Sequence, residues 1–267
     1  KTLISQRRPE LKVDYVYAPE NLRLGEAVKC FFEPGRIVIG AETEGAFRKM
    51  EEIFSGLNAE FIKMSPASAE MAKHAINAFF ATSISFINDV ADSCEEVGAD
   101  VMDVTRALKS EPRIGPRAFL NAGLGFSGGT LGRDLKSLLA LADFHFISLP
   151  VIESVLMKNQ KRGEAIKDRL GKILGGFKNK TIAVFGLTYK PGTRTLRRSF
   201  AIEFAKMLQK EGAIVRLYDP QALAEEVSSL ITAEFFKDPY QAAESAEAVV
   251  LMTTWPQIKE LNFATLG

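Results

Sequence analysis

Along the first part of the chain, apolar residues come in short runs that stop at glycine or proline. Residues 13–17 (VDYVY), just ahead of Pro19, and 36–40 (RIVIG) read as strands. Between them and a further strand pattern at 59–64, the apolar positions Phe47, Met50, Ile53, Phe54 and Leu57 fall at helical spacing within 43–57. Strand and helix alternate as in α/β layers. Two or three strands of a parallel sheet are too few to stand alone, so residues 1–65 are expected to be the end of a larger domain.

The pattern changes at Ser65-Pro66, where a capping hydroxyl precedes a proline suited to a first helical turn. Ala72, Ile76, Phe79, Ser83, Ile87, Val90, Cys94 and Val97 then recur three or four apart up to Gly98, which predicts one long helix. Met71, Ala75, Ile84 and Phe86 form a second stripe, so this helix is expected to be buried between domains or subunits. Lys73 and Asn77, four apart, interrupt the apolar surface on one face; Asn88 and Asp89 break it lower down. Helices follow over 100–109, 134–143 and 150–174, the last with a basic exposed side and a stop at Gly175-Gly176. From 180 onward the α/β pattern restarts, with strands at 181–185, 214–218 and 248–252 and a helix over 200–211. Strand, glycine loop, helix, strand is the unit of nucleotide-binding folds.

Composition narrows the class. With 267 residues, 46% hydrophobic, 25% charged and a net charge of +1, the chain is ordinary globular material with enough length for one or two cores. Near-neutral charge argues against nucleic acid or a polybasic membrane contact as partner. No apolar run reaches the roughly 18 residues of a membrane span, and the opening residues lack a signal-peptide core. Cys30 and Cys94 both sit beside apolar residues and are expected to be packed rather than bridged. His74 and His145 have no partners at metal spacing, so no metal is expected, and the cytoplasm is the expected compartment.

Two loops carry candidate chemistry. Residues 113–134 include Gly115, Gly123, Gly125, Gly128 and Gly129, followed by Thr130, Arg133 and Asp134. Exposed amides beside a cation can hold a developing oxyanion, and a carboxylate can move protons. Lys73 and Asn77 would complete such a site; a snorkelling lysine and a satisfied buried amide would explain the pair as well. The second loop, 186–192, has Lys190 with Arg194, Arg197 and Arg198 nearby. That charge suits a diphosphate at a helix N-terminus, and equally a solvated basic turn.

Taken in order, these segments resemble the UDP-glucose/GDP-mannose dehydrogenase family along nearly the whole chain. Pro19-Glu20-Asn21-Leu22-Arg23 resembles its Pro-Glu-Phe-Leu-Arg motif, and residues 34–40 (PGRIVIG) the strand that follows. Residues 70–77 and 84–88 resemble its central helix, and Arg113-Ile114-Gly115 with the glycine loop its catalytic segment. Residues 186–193, Arg197, Ser199 and Asp219-Pro220 resemble its second nucleotide-fold domain, and Thr254-Trp255 with Lys259-Glu260-Leu261 the start of its last stretch.

The resemblance implies an α/β protein with three parts. Residues 1–65 would be the remnant of an NAD-binding Rossmann-type domain. Residues 66–176 would be a central helical region that forms a homodimer and carries the glycine loop. Residues 177–267 would be a Rossmann-like domain for a nucleotide-sugar, UDP-linked by the habit of the family. Lys73 and Asn77 would hold the alcohol oxygen and its oxyanion, Asp134 would handle protons with Lys73, and Glu20 would act as acid/base in a second step. Arg113 (reaching a partner subunit's site), Phe119, Phe126, Gly128, Tyr189 and Lys190 would contact substrate. Arg133 and Arg197 would lie towards the NAD cofactor. By motif order the chain lacks the family's GxGxxG half and its last Gly-Arg-rich motif, so it is expected to be a fragment with poor NAD affinity alone.

Four departures bear on the reaction. Thr130 stands where the family carries its cysteine nucleophile, so the thioester step of a double oxidation is expected to be lost or altered. A thiol ionises near pH 8.5, whereas an alcohol needs an adjacent base. Leu24 replaces a glutamate, Arg133 a lysine, and Arg194-Thr195 an acidic pair. Besides a nucleotide-sugar dehydrogenase, stopping at one oxidation or not, two readings stay open. One is a β-hydroxyacid-type dehydrogenase, disfavoured by the second nucleotide fold. The other is a silent nucleotide-sugar-binding dimer scaffold, disfavoured by the presence of Lys73, Asn77 and Asp134.

Overall fold

The structure, a computed structural model, describes residues 2–20, 22, 25–127 and 129–266. It divides into two compact units, residues 1–77 and 78–267. Asn21, Arg23, Leu24 and Gly128 lie outside the described residues.

The first unit contains α1 (Thr2–Arg7), β1 (Val16–Tyr17), α2 (Ala27–Phe32), β2 (Gly35–Ala41), α3 (Glu44–Ile53), β3 (Ala59–Met64) and the opening of α4 (Pro66–Val97). Its sheet has the order β1-β2-β3. Strands β2 and β3 are parallel, pairing Val38 with Ile62, while β1 runs antiparallel to β2. The strand expected over 13–17 thus shrinks to two residues at an antiparallel edge, because Val13 to Tyr15 stay exposed and bury no face. Helix α3 starts where a side-chain cap allows: Thr43 Oγ1 accepts the Ala46 N–H at 3.1 Å, satisfying an amide that has no partner within the helix. Val38, Ile39, Ala41, Ala46 and Ala69 are the buried apolar residues of this unit.

The second unit takes the rest of α4, then α5 (Val101–Ser110), α6 (Leu131–Phe144) and α7 (Pro150–Leu174). An α/β layer follows: β4 (Thr181–Phe185), α8 (Phe200–Lys210), β5 (Ile214–Tyr218), α9 (Ala224–Leu230), β6 (Glu234–Phe236), α10 (Pro239–Ala243), β7 (Ala248–Leu251) and α11 (Pro256–Lys259). The four strands are all parallel, in the order β6-β5-β4-β7. Parallel strands covered on both faces are continuous apolar runs, and β4 (TIAVF) is one. One face packs Ile182, Val184, Phe204, Leu208 and Leu217; the other packs Ala183, Phe185, Tyr218, Trp255 and Ile258. A third cluster joins α4, α6 and α7 through Ala81, Ile84, Phe126, Leu135, Leu138 and Val155.

Within this chain α4 leaves Phe79 69% exposed and Phe86 50%. Two expectations need correction. Cys94 is buried, but Cys30 is only half-buried on the short helix α2. The side of α7 read as basic and exposed is partly interior, since Arg162 is 6% exposed and Lys158 half-buried, both engaging acidic residues of α4.

Candidate functional site

The candidate groups of the first unit stand on α4 and just after β1. Ser65 Oγ accepts the Ser68 N–H at 3.2 Å at the start of α4, and on that helix Lys73 and Asn77, four apart, share a face, both half-buried. Glu20 is exposed, and its carboxylate accepts the Leu22 N–H at 2.7 Å.

In the second unit the glycine loop is held by its main chain. Gly123 N–H donates to Asn88 Oδ1 of α4 at 2.8 Å, and Gly123 O accepts from Arg162 Nε of α7 at 2.8 Å. Phe126 N–H donates to Asn159 Oδ1 at 2.7 Å, and Asn159 Nδ2 donates back to Phe126 O at 2.9 Å. Gly125 adopts φ +87°, and a Cβ there would lie 2.5 Å from Asn159 Oδ1, so conformation and space both require glycine. The ring of Phe126 is buried in the α4/α6/α7 cluster, so its contribution to the loop is an anchor. Phe119, half-exposed, packs against Phe80 with ring centroids 5.4 Å apart.

Helix α6 begins at Leu131, three residues before the sequence pattern suggests, because glycines at 128, 129 and 132 hide its first turn. Thr130 is therefore its N-cap residue. Its side chain makes no capping bond and is exposed, while its carbonyl accepts the Asp134 N–H at 3.0 Å. A side chain at this place faces the positive end of a 14-residue helix. Asp134, one turn on, is 2% exposed; Arg133, exposed, has its Nε 3.7 Å from Asp134 Oδ1. Arg113 is strongly exposed and pairs with Glu111 at 2.7 Å, whose carboxyl that guanidinium holds below the usual range.

The loop after β4 is built round a buried carboxylate. Asp219, at the end of β5, accepts on Oδ2 from Leu187 N–H (2.7 Å), Thr188 N–H (2.9 Å), Thr188 Oγ1 (3.0 Å) and Trp255 Nε1 (3.3 Å). Its Oδ1 accepts from Gln221 and Ala222 N–H at 2.8 and 2.9 Å. Thr253, after β7, donates to Thr188 O at 2.6 Å. Strand β4 lies between β5 and β7, so the chain leaves its carboxyl end at a topological switch point, where open α/β sheets take ligands. A cleft of about 130 Å³ lies there, lined by Gly125 and Ser127 of the glycine loop and by Thr188, Tyr189, Ser199 and Thr253. Tyr189 and Lys190 are half-buried, and Arg197 is exposed. Arg198, at φ +55°, directs its guanidinium to Gly129 O at 3.5 Å.

The structure thus brings the glycine loop and Tyr189 to one cleft within the second unit. Gly128 lies outside the described residues. Reading the sequence missed Asn159, Arg162 and Asp219 as site-building residues. The break in the α4 pattern at Asn88 was the one visible signal, since a buried amide needs partners. Among the described residues no cluster of three or more His, Cys, Asp or Glu could hold a metal ion, and no helix is long and apolar enough to cross a membrane.

Residues 67–161 match the central-domain model of the UDP-glucose/GDP-mannose dehydrogenase family, and residues 183–267 match its UDP-binding-domain model. The chain belongs to that family. It is 41% identical over 251 residues to the UDP-glucose 6-dehydrogenase TuaD of Bacillus subtilis, covering 93% of this chain and 54% of the relative. It is 36% identical over 273 residues to a UDP-glucose 6-dehydrogenase of Rhizobium meliloti, covering 99% of this chain and 62% of the relative. Among solved structures, a UDP-glucose dehydrogenase from Pyrobaculum islandicum matches with a TM-score of 0.93 at 30% identity, over 98% of this chain and 61% of that one. A UDP-D-ManNAc dehydrogenase from Pyrococcus horikoshii matches with a TM-score of 0.86 at 23% identity, over 100% of this chain and 62% of that one, a likeness of fold alone. The chain spans 54–62% of the length of these relatives. The α/β class, with parallel sheets and a central helical region, is the one the sequence implied.

Proposed function

We propose that this chain is part of an NAD-dependent dehydrogenase that oxidises an alcohol of a UDP-sugar once, without the thioester step. The observation that carries the reading is Thr130: an exposed hydroxyl at the N-terminus of α6, on a loop held in shape by its main chain. The positive end of a helix lowers the pKa of a thiol into the working range, but an alcohol starts far too high for the same field to ionise it. The loop that would present a nucleophile is present, and the nucleophile is not.

In this reading residues 1–65 belong to the NAD domain, 66–176 to the dimerising helical region and 177–267 to the UDP-sugar domain. Lys73 and Asn77 bind the alcohol oxygen and the charge that develops on it. Asp134 serves proton transfer, and Glu20 is the acid/base left over from the second step. Phe119, Tyr189, Lys190 and the loop around Phe126 and Gly128 receive the nucleotide-sugar, and Arg113 serves the other protomer of a homodimer. The exposed guanidiniums of Arg133 and Arg197 have the charge and planar donors that a dinucleotide diphosphate takes, so these residues fit NAD. When bound, NAD accepts the hydride that leaves the alcohol carbon.

The test is stoichiometry on the intact protein. One NADH per sugar with an aldehyde product is expected with UDP-glucose. Two NADH with a carboxylate product overturn the single oxidation, and no substrate-dependent NADH beside tight UDP-sugar binding leaves a silent binding scaffold.

A further inference from the structure

We infer that Asn159 and Arg162 of α7, together with Asn88 of α4, are positioning residues that set the geometry of the reactive loop. Only the effect on turnover rests on the dehydrogenase reading above. The inference starts from which atoms are held. Two residues of the loop, Gly123 and Phe126, have both their N–H and C=O groups bonded to side chains from long helices. A segment rich in glycine has little side-chain packing of its own and many backbone conformations to lose. Its shape therefore has to be imposed from outside.

The helices supply it from interior positions. Asn88 is 2% exposed, and Arg162 sits in a chain of ion pairs with Asp92 at 2.6 Å, which Lys158 joins at 2.8 Å. Arg162 thus arrives at Gly123 with its direction fixed and its charge balanced. Asn159 spends its carbonyl and one amide hydrogen on Phe126, in the manner of a short strand pairing with the loop. On α7 these residues continue one stripe. Val155 packs with α4 and α6, Asn159 and Arg162 hold the loop, and Ile166 and Leu170 pack on the core of the C-terminal sheet. One rigid helix face therefore fixes the loop against the layer that forms the cleft with Tyr189 and Ser199. Catalytic groups displaced by about 1 Å lose on the order of a hundredfold in rate, so such a fixture belongs to the reaction machinery.

The experiment compares wild type, Asn159→Ala and Asn159→Asp in the intact protein, by hydrogen exchange at residues 123–126, UDP binding and steady-state kinetics with UDP-glucose. In Asn159→Ala the amide protection of Phe126 is lost, kcat falls roughly ten- to a hundredfold, and the affinity for UDP alone stays within about twofold. Asn159→Asp is close in size and guards against a variant that fails to fold. As a carboxylate it still accepts from Phe126 N–H but cannot donate to Phe126 O. Phe126 N–H therefore stays protected while the carboxylate repels Phe126 O, so kcat is low at neutral pH and recovers as the acid protonates and can donate there, a pH dependence that a merely structural role would not give. Unchanged protection in Asn159→Ala overturns the proposal, as does lost protection with unchanged kcat. If the wild type turns over no UDP-sugar while protection still falls in the variant, the positioning role stands and the dehydrogenase reading fails.

Discussion

Gly186 and Thr253 meet main chain to main chain: a Cβ on Gly186 would lie 2.5 Å from Thr253 O and 2.6 Å from its N. Gly186 also adopts φ +83°. Gly186→Ala therefore forces both a backbone strain of about 1–3 kcal/mol and a separation of the ends of β4 and β7. The expected result is an unfolding free energy, from urea titration, lowered by at least that strain and a loss of UDP binding. A variant with wild-type stability would show that the two segments part at no cost.

Asp219 holds six donors in a buried site, and Asp219→Ala strands all but Trp255 Nε1, which keeps its 3.0 Å bond to Thr188 Oγ1. Each buried donor left without a partner costs about 1–3 kcal/mol. Partial repair by water reduces the sum, so a loss of roughly 3 kcal/mol or more is expected. The chain's single tryptophan, Trp255, donates to this network and reports on it directly. Its emission should shift to the red in Asp219→Ala before global unfolding begins.

Thr130→Cys places a thiol at the exposed N-terminus of α6. Its pKa should fall below the ordinary value of about 8.5, seen as an iodoacetamide reaction rate that saturates at lower pH than that of a small free thiol in solution. If the single oxidation is a consequence of Thr130, the same variant should yield a second NADH per sugar. An ordinary thiol pKa would remove the helix-terminus argument.

The α4–α7 ion pairs give stability a defined pH window. Burial pushes the Asp92 carboxyl up, but hydrogen bonds from Lys158 and Arg162 and their charges outweigh it, so its pKa is lowered on folding. Its contribution is then fully present above its unfolded value of about 3.9 and is lost as pH falls through the lower folded value. Lys158 is the mirror case: burial pulls it down, and Asp89 and Asp92 raise it by more. Its contribution is present below about 10.4 and lost as pH rises through the folded value. Asp92→Asn should be less stable than wild type at pH 7, with the gap in urea midpoint closing below pH 4. A gap independent of pH would mean that the pair does not couple to folding.

The sequence showed its long or strongly periodic elements well. The bounds of β3, β4, β5 and α7 are those that the apolar pattern and the flanking glycines and prolines indicate. Between Asp219 and residue 248 the pattern is silent, since α9, β6 and α10 are seven residues or fewer and bury only part of their length. The candidate site was legible through side chains with reactive groups, such as Lys73, Thr130 and Asp134. It was not legible through those that hold backbone: Asn159 and Arg162 look like any polar stretch of a surface helix until the fold turns them inward. Asp219-Pro220 was seen as a motif, yet nothing in its spacing tells that six donors converge on it.

Because the grip on the glycine loop falls on peptide atoms, the shape of that loop is inherited from its neighbours. A reactive position such as 130 is then free to change identity while the scaffold round it stays put. On the single oxidation proposed above, exchanging a thiol for an alcohol there changes the chemical outcome by a single replacement, with no refolding to repair. The helices carry the heritable geometry, and the loop carries the part that evolution can afford to rewrite.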